Sequence, residues 1–331
     1  MSSLYAIAAL KQVITILKPY LRWLILGGTL FFLASTLKMH WQEVLALRID
    51  GSGWTKLAIA TGVTLLAHIW SGWVWGWIIG EFGRSVRTQW SIRVYLKTNI
   101  AKYLPGNVWH YYGRINAARS AGIPLGVSVL SVLMEPLLMA AAALFIALGC
   151  SFQATVGWQF VLLIPVLAGF HPRFLNPLLD YLAQLKGKMK KAKDSEEKPI
   201  RVKRYPLIPL LGEIGFVGLR GAGFLIAMFA LYPFRLAEVP LLLGAFSLAW
   251  VIGLLVPGAP GGIGVFEATA IALLEQHISP GIIISAVVLY RFIGTLAEAG
   301  GAGLAWLYER FLPDSHRKRA TLTEDETNNI S

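Results

Sequence analysis

The sequence is poor in the residues from which reactive centres are commonly built. It contains one cysteine, Cys150, which excludes a disulfide within the chain and a cluster of thiolates that could bind a metal. Its six histidines show no metal-ligand spacing, and no glycine-rich segment has the Gly-Lys-Ser or Gly-Lys-Thr ending of a Walker motif. We therefore expect no metal, no cofactor and no catalytic residue, and the chain is not predicted to be an enzyme.

Charged residues are also scarce, at 15% of 331 positions, whereas 56% of the residues are hydrophobic and 12 are tryptophan. One soluble core could not bury so much apolar material, so the composition predicts an all-α polytopic membrane protein. Membrane spans are expected where about 20 apolar residues follow one another. Such runs lie near residues 21–37, 57–79, 124–149, 156–171, 206–232, 239–256 and 280–308, and the apolar stretch 262–276 is too short for an ordinary span.

The distribution of the net charge of +12 predicts the topology. Lys and Arg accumulate in residues 80–120 and 172–205 and near both termini, and short segments rich in these residues stay in the cytoplasm. Because these charges border apolar spans, we expect them to face anionic lipid rather than nucleic acid. Seven full spans would place the termini on opposite sides, so an eighth crossing is needed, and we assign it to residues 262–276.

The expected architecture is a single membrane domain, residues 1–331, with about eight crossings and both termini in the cytoplasm. Two possible halves, residues 1–171 and 206–310, are joined by the basic loop 172–205 and followed by a polar tail, residues 311–331. The oligomeric state is left open by the sequence.

Two Pro-Gly breaks interrupt this apolar pattern, one at Pro105-Gly106 and one between residues 257 and 264. Proline removes a backbone donor, and the polar groups that a break frees are tolerated in a membrane only inside protein or beside a hydrated cavity. Transporters build substrate sites from such breaks, often in inverted repeats. We predict that residues 257–264 form a non-helical break within the membrane. An inverted repeat is a hypothesis, and the alternative is that membrane proteins use Pro and Gly freely.

Five ionisable residues fall inside predicted spans, where a charge is costly and needs a partner or a function. They are Glu135, Glu213, Arg220, Arg291 and Glu298. In two of the spans Glu and Arg are seven positions apart, which is about 10 Å along a helix and too far for a direct bridge. Antiparallel spans would bring Arg220 and Arg291 to similar depth, where two guanidinium groups could share one phosphate. The alternative is that Glu135 and Glu267 neutralise these arginines as structural ion pairs.

The second break offers backbone groups as ligands for an anion. Gly261, Gly262 and Gly264 precede a short helix, whose first amides and dipole favour a negative charge. Glu267 lies in the first turn of this helix, so it could instead cap the amides itself or accept a cation or a proton.

The first break offers a basic and aromatic group, Lys102, Tyr103 and Arg114, which is suited to the level of lipid headgroups. The alternative is that these side chains anchor the chain at the membrane interface without touching a substrate.

Two motifs in these breaks resemble those of the flippase-like membrane domain of lysylphosphatidylglycerol synthases. The first runs from Lys102 to Trp109 and continues to Gly122, and the second runs from Pro260 to Glu267. The order and number of spans are similar over nearly the whole chain. The resemblance implies an integral protein of the bacterial inner membrane, associated with moving phospholipid between leaflets. The larger synthases add a soluble aminoacyl-transfer domain after the membrane part, and none follows the last span here, so we expect no lysine transfer.

Together, the residues and the resemblance predict a lipid translocase that binds or moves a phospholipid or another lipid-linked anion. The alternative is a non-transporting accessory subunit of a membrane enzyme that modifies lipids or polyprenyl-linked sugars. A lipid-sized groove beside Arg220 and Arg291 would favour the first, and a closed bundle with a large exposed apolar side the second. The predicted substrate-binding residues are Arg220, Arg291, Lys102, Tyr103, Arg114, Glu135, Glu267, Gly261, Gly262 and Gly264.

Overall fold

The computed structural model describes residues 49–103, 108–150, 163–177, 201–202, 204–256 and 262–311, with a few isolated positions before residue 49. The predicted span 21–37, the first part of the span 156–171, most of the loop 172–205 and the tail from residue 312 onward lie outside the described residues. The same holds for residues 104–107 and 257–261, which form the centres of the two predicted breaks.

The described residues are helical and contain no strand, which confirms the all-α prediction. Short 3-10 turns cover Ile100–Tyr103 and Leu236–Glu238. The α-helices, in chain order, are α1 Gly51–Glu81, α2 Thr88–Asn99, α3 Trp109–Ser120, α4 Leu125–Cys150, α5 Leu163–Gly169, α6 Leu207–Phe229, α7 Val239–Leu255, α8 Val265–Leu274 and α9 Pro280–Phe311.

Five of these helical segments are long and apolar enough to cross a membrane. They are α1, α4, α6, the segment Leu236–Leu255 that contains α7, and α9, and each coincides with a predicted span. The structure is therefore compatible with the predicted integral membrane protein. The total number of crossings and the inverted repeat stay predictions.

Local chemistry accounts for several helix boundaries. The side chain of Asp50 precedes α1 and accepts a hydrogen bond of 2.7 Å from the amide of Gly53, which satisfies one of the free donors at the helix start. Pro280 is the first residue of α9, where its missing donor costs nothing. Pro136 is different because it lies inside α4, where it removes an internal hydrogen bond one residue after Glu135.

Helix α1 is the centre of the bundle, since it packs against α2, α4, α6 and α9. Its glycines explain the close approach of α2. A Cβ on Gly72 would lie 2.8 Å from the Cα of Ile92, and one on Gly76 would lie 2.9 Å from the hydroxyl of Ser91. Gly80 has nothing within 4 Å of its Cβ position, so the close crossing uses only the first two glycines of this regularly spaced series.

An aromatic cluster fixes the short helix α8 inside the bundle. Phe266 contacts the rings of Phe224 on α6 and Phe246 on α7, with centroids 6.4 and 5.7 Å apart, and Tyr290 on α9 packs against the same two rings. Helix α8 also packs directly on α7 and α9. The chain therefore turns back after α7 and places the start of α8 among three long helices.

The described end of the second break, residues 262–264, is not α-helical, in agreement with the prediction for that part. Gly262 and Gly264 have φ angles of 69° and 85°, in the left-handed region that favours glycine, and α8 begins at Val265. Gly262 also approaches the backbone of Gly253 on α7, where a Cβ on Gly262 would lie 3.1 Å from a Cα. The depth of this break in a membrane stays a prediction.

Candidate functional site

A cavity of about 570 Å³ lies where the two predicted breaks approach the long helices. It is lined by side chains from α1, α2, α3, α4, α6, α7 and α9, so residues far apart in sequence meet in it. Seven of the ten predicted site residues line this cavity, namely Lys102, Tyr103, Arg114, Glu135, Arg220, Gly262 and Arg291. Glu267 contacts one of them, Gly264 contacts Glu267, and Gly261 lies outside the described residues.

Arg291 is held on one side of the cavity by the start of α8. Its Nε donates to Oε1 of Glu267, and its Nη2 donates to the carbonyl of Gly262 over 3.0 Å. The second carboxylate oxygen of Glu267 accepts from the amide of Gly264 over 2.7 Å. Glu267 therefore caps α8 and neutralises Arg291, so one of the amides that the sequence offered to an anion is already occupied.

Arg114 and Glu135 form a second ion pair, in which both side chains are only 2% exposed. The guanidinium group lies among aromatic rings, 4.4 Å from the centroid of Tyr95 and 5.7 Å from that of Tyr111. Arg114 is buried in the bundle, and its level relative to lipid headgroups stays a prediction. One expectation needs correction, because Glu135 neutralises Arg114 instead of Arg220 or Arg291. Neither partner could be chosen from sequence, because Arg114 belongs to a short polar helix outside the predicted spans.

A third carboxylate, Glu298 on α9, bridges two groups that sequence reasoning had not joined. Its Oε1 accepts from the ammonium of Lys102 and lies 3.1 Å from Nε2 of His68 on α1. Tyr103 lies beside it, with its hydroxyl 3.2 Å from Oγ1 of Thr295. Sequence reasoning did not identify His68 as a site residue. The one signal in the sequence was that Glu298 has no partner within reach on its own helix and therefore needs one from another helix.

Burial also changes the acid-base properties of the groups that the first break contributes. It lowers the pKa of Lys102 below its ordinary value, against the opposing effect of the Glu298 carboxylate. Burial, followed by the nearby Arg114, lowers the pKa of His110 to about 3, so this imidazole is neutral at physiological pH. Burial raises the pKa of Tyr103 to about 12 and keeps its phenol uncharged.

Arg220 differs from the other cations because no described carboxylate contacts its guanidinium group. Its Nη1 lies 3.4 Å from Nε2 of His68, and its guanidinium carbon lies 4.9 Å from the centroid of the Tyr290 ring. If Nε2 of His68 donates to Glu298, it cannot also accept a hydrogen bond from Arg220. The Nε of Arg220 is buried and has no partner among the described residues. Arg220 therefore presents a positive charge that the described part of the protein does not neutralise.

The guanidinium group of Arg220 lies against α9, close to the position of Arg291 in that helix. A Cβ on Gly294, one turn after Arg291 on α9, would lie 3.7 Å from Nη1 of Arg220 and 3.9 Å from its Nη2. Counting the described charged residues in and beside the cavity, four cations face three carboxylates paired with Lys102, Arg114 and Arg291. The arrangement is suited chemically to an anion that completes the coordination of Arg220.

Comparison with known proteins gives no match, either to a protein-family model or to a curated protein.

Proposed function

We propose that this protein binds the phosphate of an anionic lipid in the cavity and moves the lipid between the two leaflets of the membrane. The observation that carries the proposal is the guanidinium of Arg220, which faces the cavity without a carboxylate among the described residues. A guanidinium group forms two parallel hydrogen bonds to a phosphate, and such bonds are stronger in a site shielded from water. A phosphodiester carries one negative charge and would offset Arg220, the cavity cation for which the described residues supply no carboxylate.

The remaining walls of the cavity favour a lipid over a small inorganic anion. Met139, Phe216, Trp250 and Phe292 line it together with the charged groups, so the site offers polar and apolar surface to one ligand. Phe292 is 62% exposed and directly follows Arg291, which places apolar surface on the outside of the bundle next to the charged site. An amphipathic ligand with a phosphate and a hydrocarbon chain matches this combination.

The resemblance to the flippase-like membrane domain of lysylphosphatidylglycerol synthases supports the same proposal. The motifs that carry it supply Lys102, Tyr103 and Gly262 to the cavity and Glu267 to the ion pair with Arg291. Residues quoted for a likeness in sequence thus meet at one site in space. We also propose that the protein belongs to that family and lies in the bacterial inner membrane.

The transfer of lipid can be tested in liposomes that contain the purified protein and a fluorescent phospholipid. An impermeant quencher destroys the fluorescence of the outer leaflet, so a protein that moves lipid exposes the inner-leaflet fraction as well. We expect transfer of a phosphatidylglycerol analogue to exceed that of an uncharged glycosyl-diacylglycerol analogue, because only the former supplies a phosphate for Arg220. Equal transfer of both lipids would contradict a phosphate site.

A matched pair of glycine variants links transfer to the cavity. Gly294→Leu places a bulky side chain against the guanidinium of Arg220, whereas Gly300→Leu makes the same change two turns away on α9, where a Cβ has nothing within 4 Å. We expect the first variant to lose transfer and the second to retain it. Loss of transfer in both variants would mean that the loss is not specific to the cavity, which would contradict a role of the cavity in transfer.

The alternative function, a non-transporting accessory subunit, gives a different result in the same experiments. Such a subunit would retain anionic lipid through purification, as native mass spectrometry can show, but would move none of it in liposomes. Binding without transfer would therefore favour the alternative.

The proposed orientation places residues 80–100 in the cytoplasm and the turn before α7 on the opposite side. Single cysteines at two exposed positions, Ser85 and Leu236, in a Cys150→Ser background test it. We expect an impermeant thiol reagent to label Leu236→Cys but not Ser85→Cys in intact cells. The reverse pattern would invert the orientation.

A further inference from the structure

Glu213 is a buried acidic residue that the proposed lipid site does not use. It lies on α6, has no exposed surface, and neither of its carboxylate oxygens has a hydrogen-bond partner among the described residues. An ionised carboxylate in such a place would lose its hydration without compensation, so burying it is far less favourable than burying the neutral acid. Burial without a partner therefore favours the protonated form of Glu213.

The packing around Glu213 separates it from water. The indole of Trp70 on α1 donates a hydrogen bond of 2.7 Å to the carbonyl of the adjacent Gly212. A Cβ on Gly212 would lie 2.7 Å from Cγ2 of Val74 and 2.8 Å from the ring of Trp77, so α1 and α6 are in direct contact there. A proton at Glu213 thus exchanges with the solvent only when the bundle rearranges or the cavity opens toward it.

The charged and titratable groups near Glu213 lie on α1, α2, α3, α4 and α9. The charges of Glu135 on α4 and Arg114 on α3 interact electrostatically with the carboxyl group of Glu213. Glu213 in turn interacts electrostatically with the phenol of Tyr95 on α2. His68 on α1 packs against Phe216, which is less than one turn away from Glu213, and Glu298 on α9 contacts His68. Glu135 is already paired with Arg114, so Glu213 is the one carboxyl group of this set that has no cationic partner among the described residues.

The state of Glu213 decides the net charge of the buried cluster. With Glu213 protonated, the four cations exceed the three paired carboxylates by one positive charge, which a monoanionic ligand at Arg220 would offset. With Glu213 ionised, the described cluster is already neutral without a ligand. A bound anion together with an ionised Glu213 would leave the interior negative, and a buried uncompensated charge is strongly disfavoured.

We propose that Glu213 is a proton-binding site coupled to the anion site at Arg220, so that each anionic lipid bound is accompanied by one proton. This inference rests on the proposed function and adds the ion that couples to it. Glu213 and Arg220 are seven residues apart on α6, so about 10 Å of helix separates the proton from the anion. A proton gradient could then drive the lipid, because the neutral pair of ligands crosses more easily than either ligand alone.

The expected size of the coupling follows from this separation. Two unit charges about 10 Å apart in a medium of effective dielectric constant about 20 change each other's binding by roughly tenfold. Affinity for the anion rises as the pH falls, because the protonated form of Glu213 no longer repels the phosphate. A phosphodiester stays monoanionic throughout the range, so the lipid itself contributes no titration.

The experiment measures binding of phosphatidylglycerol to the full-length detergent-solubilised protein at mildly acidic and mildly alkaline pH. We expect wild type to bind roughly tenfold more tightly at the acidic pH. Glu213→Gln mimics the protonated side chain and should bind tightly at both pH values. Glu275→Gln, at the exposed end of α8, is the matched control and should behave like wild type. Glu213→Met, which is also uncharged and of similar size, should reproduce the effect of Glu213→Gln.

Infrared spectroscopy of the lipid-free protein gives an independent measurement of the proton. At the mildly acidic pH, the carbonyl stretch of a protonated carboxylic acid should be present in wild type and lost in Glu213→Gln. A band that is unchanged in the variant would overturn the assignment of the proton to Glu213. Wild-type binding that is tight at both pH values would overturn the coupling but leave the lipid site intact. If binding by Glu213→Gln still depended on pH, the coupled proton would belong to another group, such as His68. That result would also overturn the coupling to Glu213. Failure of wild type to bind the lipid at either pH would overturn both the lipid site and its coupling.

Discussion

Arg114 and Arg220 line the same cavity but have opposite surroundings. Arg114 is 2% exposed, is paired with Glu135 and is enclosed by aromatic rings. Arg220 is half-buried, packs on the ring of Tyr290 and contacts no described carboxylate. A deeply buried charge must be compensated within the protein, whereas a partly buried charge at a cavity wall can be solvated until a ligand neutralises it. The comparison therefore separates an arginine that compensates a buried carboxylate from one to which the proposed function assigns an anion.

The largest expected effect comes from breaking the buried pair. Arg114→Gln leaves the carboxylate of Glu135 buried without its cation, and such losses cost about 3 to 5 kcal/mol. We expect a large drop in thermal stability in detergent and a low yield of folded protein. The double variant Arg114→Gln/Glu135→Gln should recover most of the stability, because it removes both charges together.

Arg310 supplies the control for this experiment. It is exposed near the end of α9, and exposed charges contribute at most about 1 kcal/mol. Arg310→Gln should therefore unfold at nearly the wild-type temperature. If Arg114→Gln were equally stable, the two arginines of the cavity would not differ in the way proposed.

Removing the charge of Arg220 should have the opposite pattern of effects. Arg220→Gln leaves no described carboxylate unpaired, so we expect folded protein of nearly unchanged stability. The affinity for phosphatidylglycerol should fall by at least about 30-fold, or about 2 kcal/mol, because a charge-assisted pair with the phosphate is lost. Lipid binding and thermal unfolding, measured on the same preparation, give both values. Unfolding with no separate loss of affinity would make Arg220 a structural residue like Arg114.

The smallest expected effect concerns the support of Arg220. The hydroxyl of Tyr290 donates to the backbone carbonyl of Arg220 over 3.2 Å, while the ring lies beneath the guanidinium group. Tyr290→Phe removes one hydrogen bond, worth about 1 kcal/mol, and keeps the ring. We expect affinity to fall less than about fivefold, and Tyr308→Phe, on the exposed side of α9, to have no effect. A loss as large as that of Arg220→Gln would mean that the hydroxyl itself contacts the lipid.

Much of the fold could be predicted because membrane spans are local. An apolar run of sufficient length forms a helix in lipid whatever lies elsewhere in the chain, and all five long apolar helices coincide with predicted spans. The candidate site was also signalled locally, since charges inside apolar runs need a reason to be there. Five residues were identified in this way, and four of them, Glu135, Arg220, Arg291 and Glu298, line the cavity, whereas Glu213 does not.

The pairing of these charges could not be predicted, because it depends on contacts between distant parts of the chain. Glu135 pairs with Arg114 from a short polar helix, and Glu298 joins Lys102 and His68 from two other elements. No spacing in the sequence distinguishes these partners from the pairing of Glu135 with Arg220 or Arg291, which was the alternative to a shared phosphate.

The positions of the helices that suit a membrane, and the costly charges within them, could be inferred from the amino-acid sequence alone. Both are set by the free energy of single segments, to which each residue contributes according to its own polarity. The partners of these charges followed from the packing of distant segments, since electrostatic pairing depends on distance and burial. The absence of a described carboxylate beside Arg220 and the protonated state inferred for Glu213 are both consequences of packing, and no local pattern encodes them.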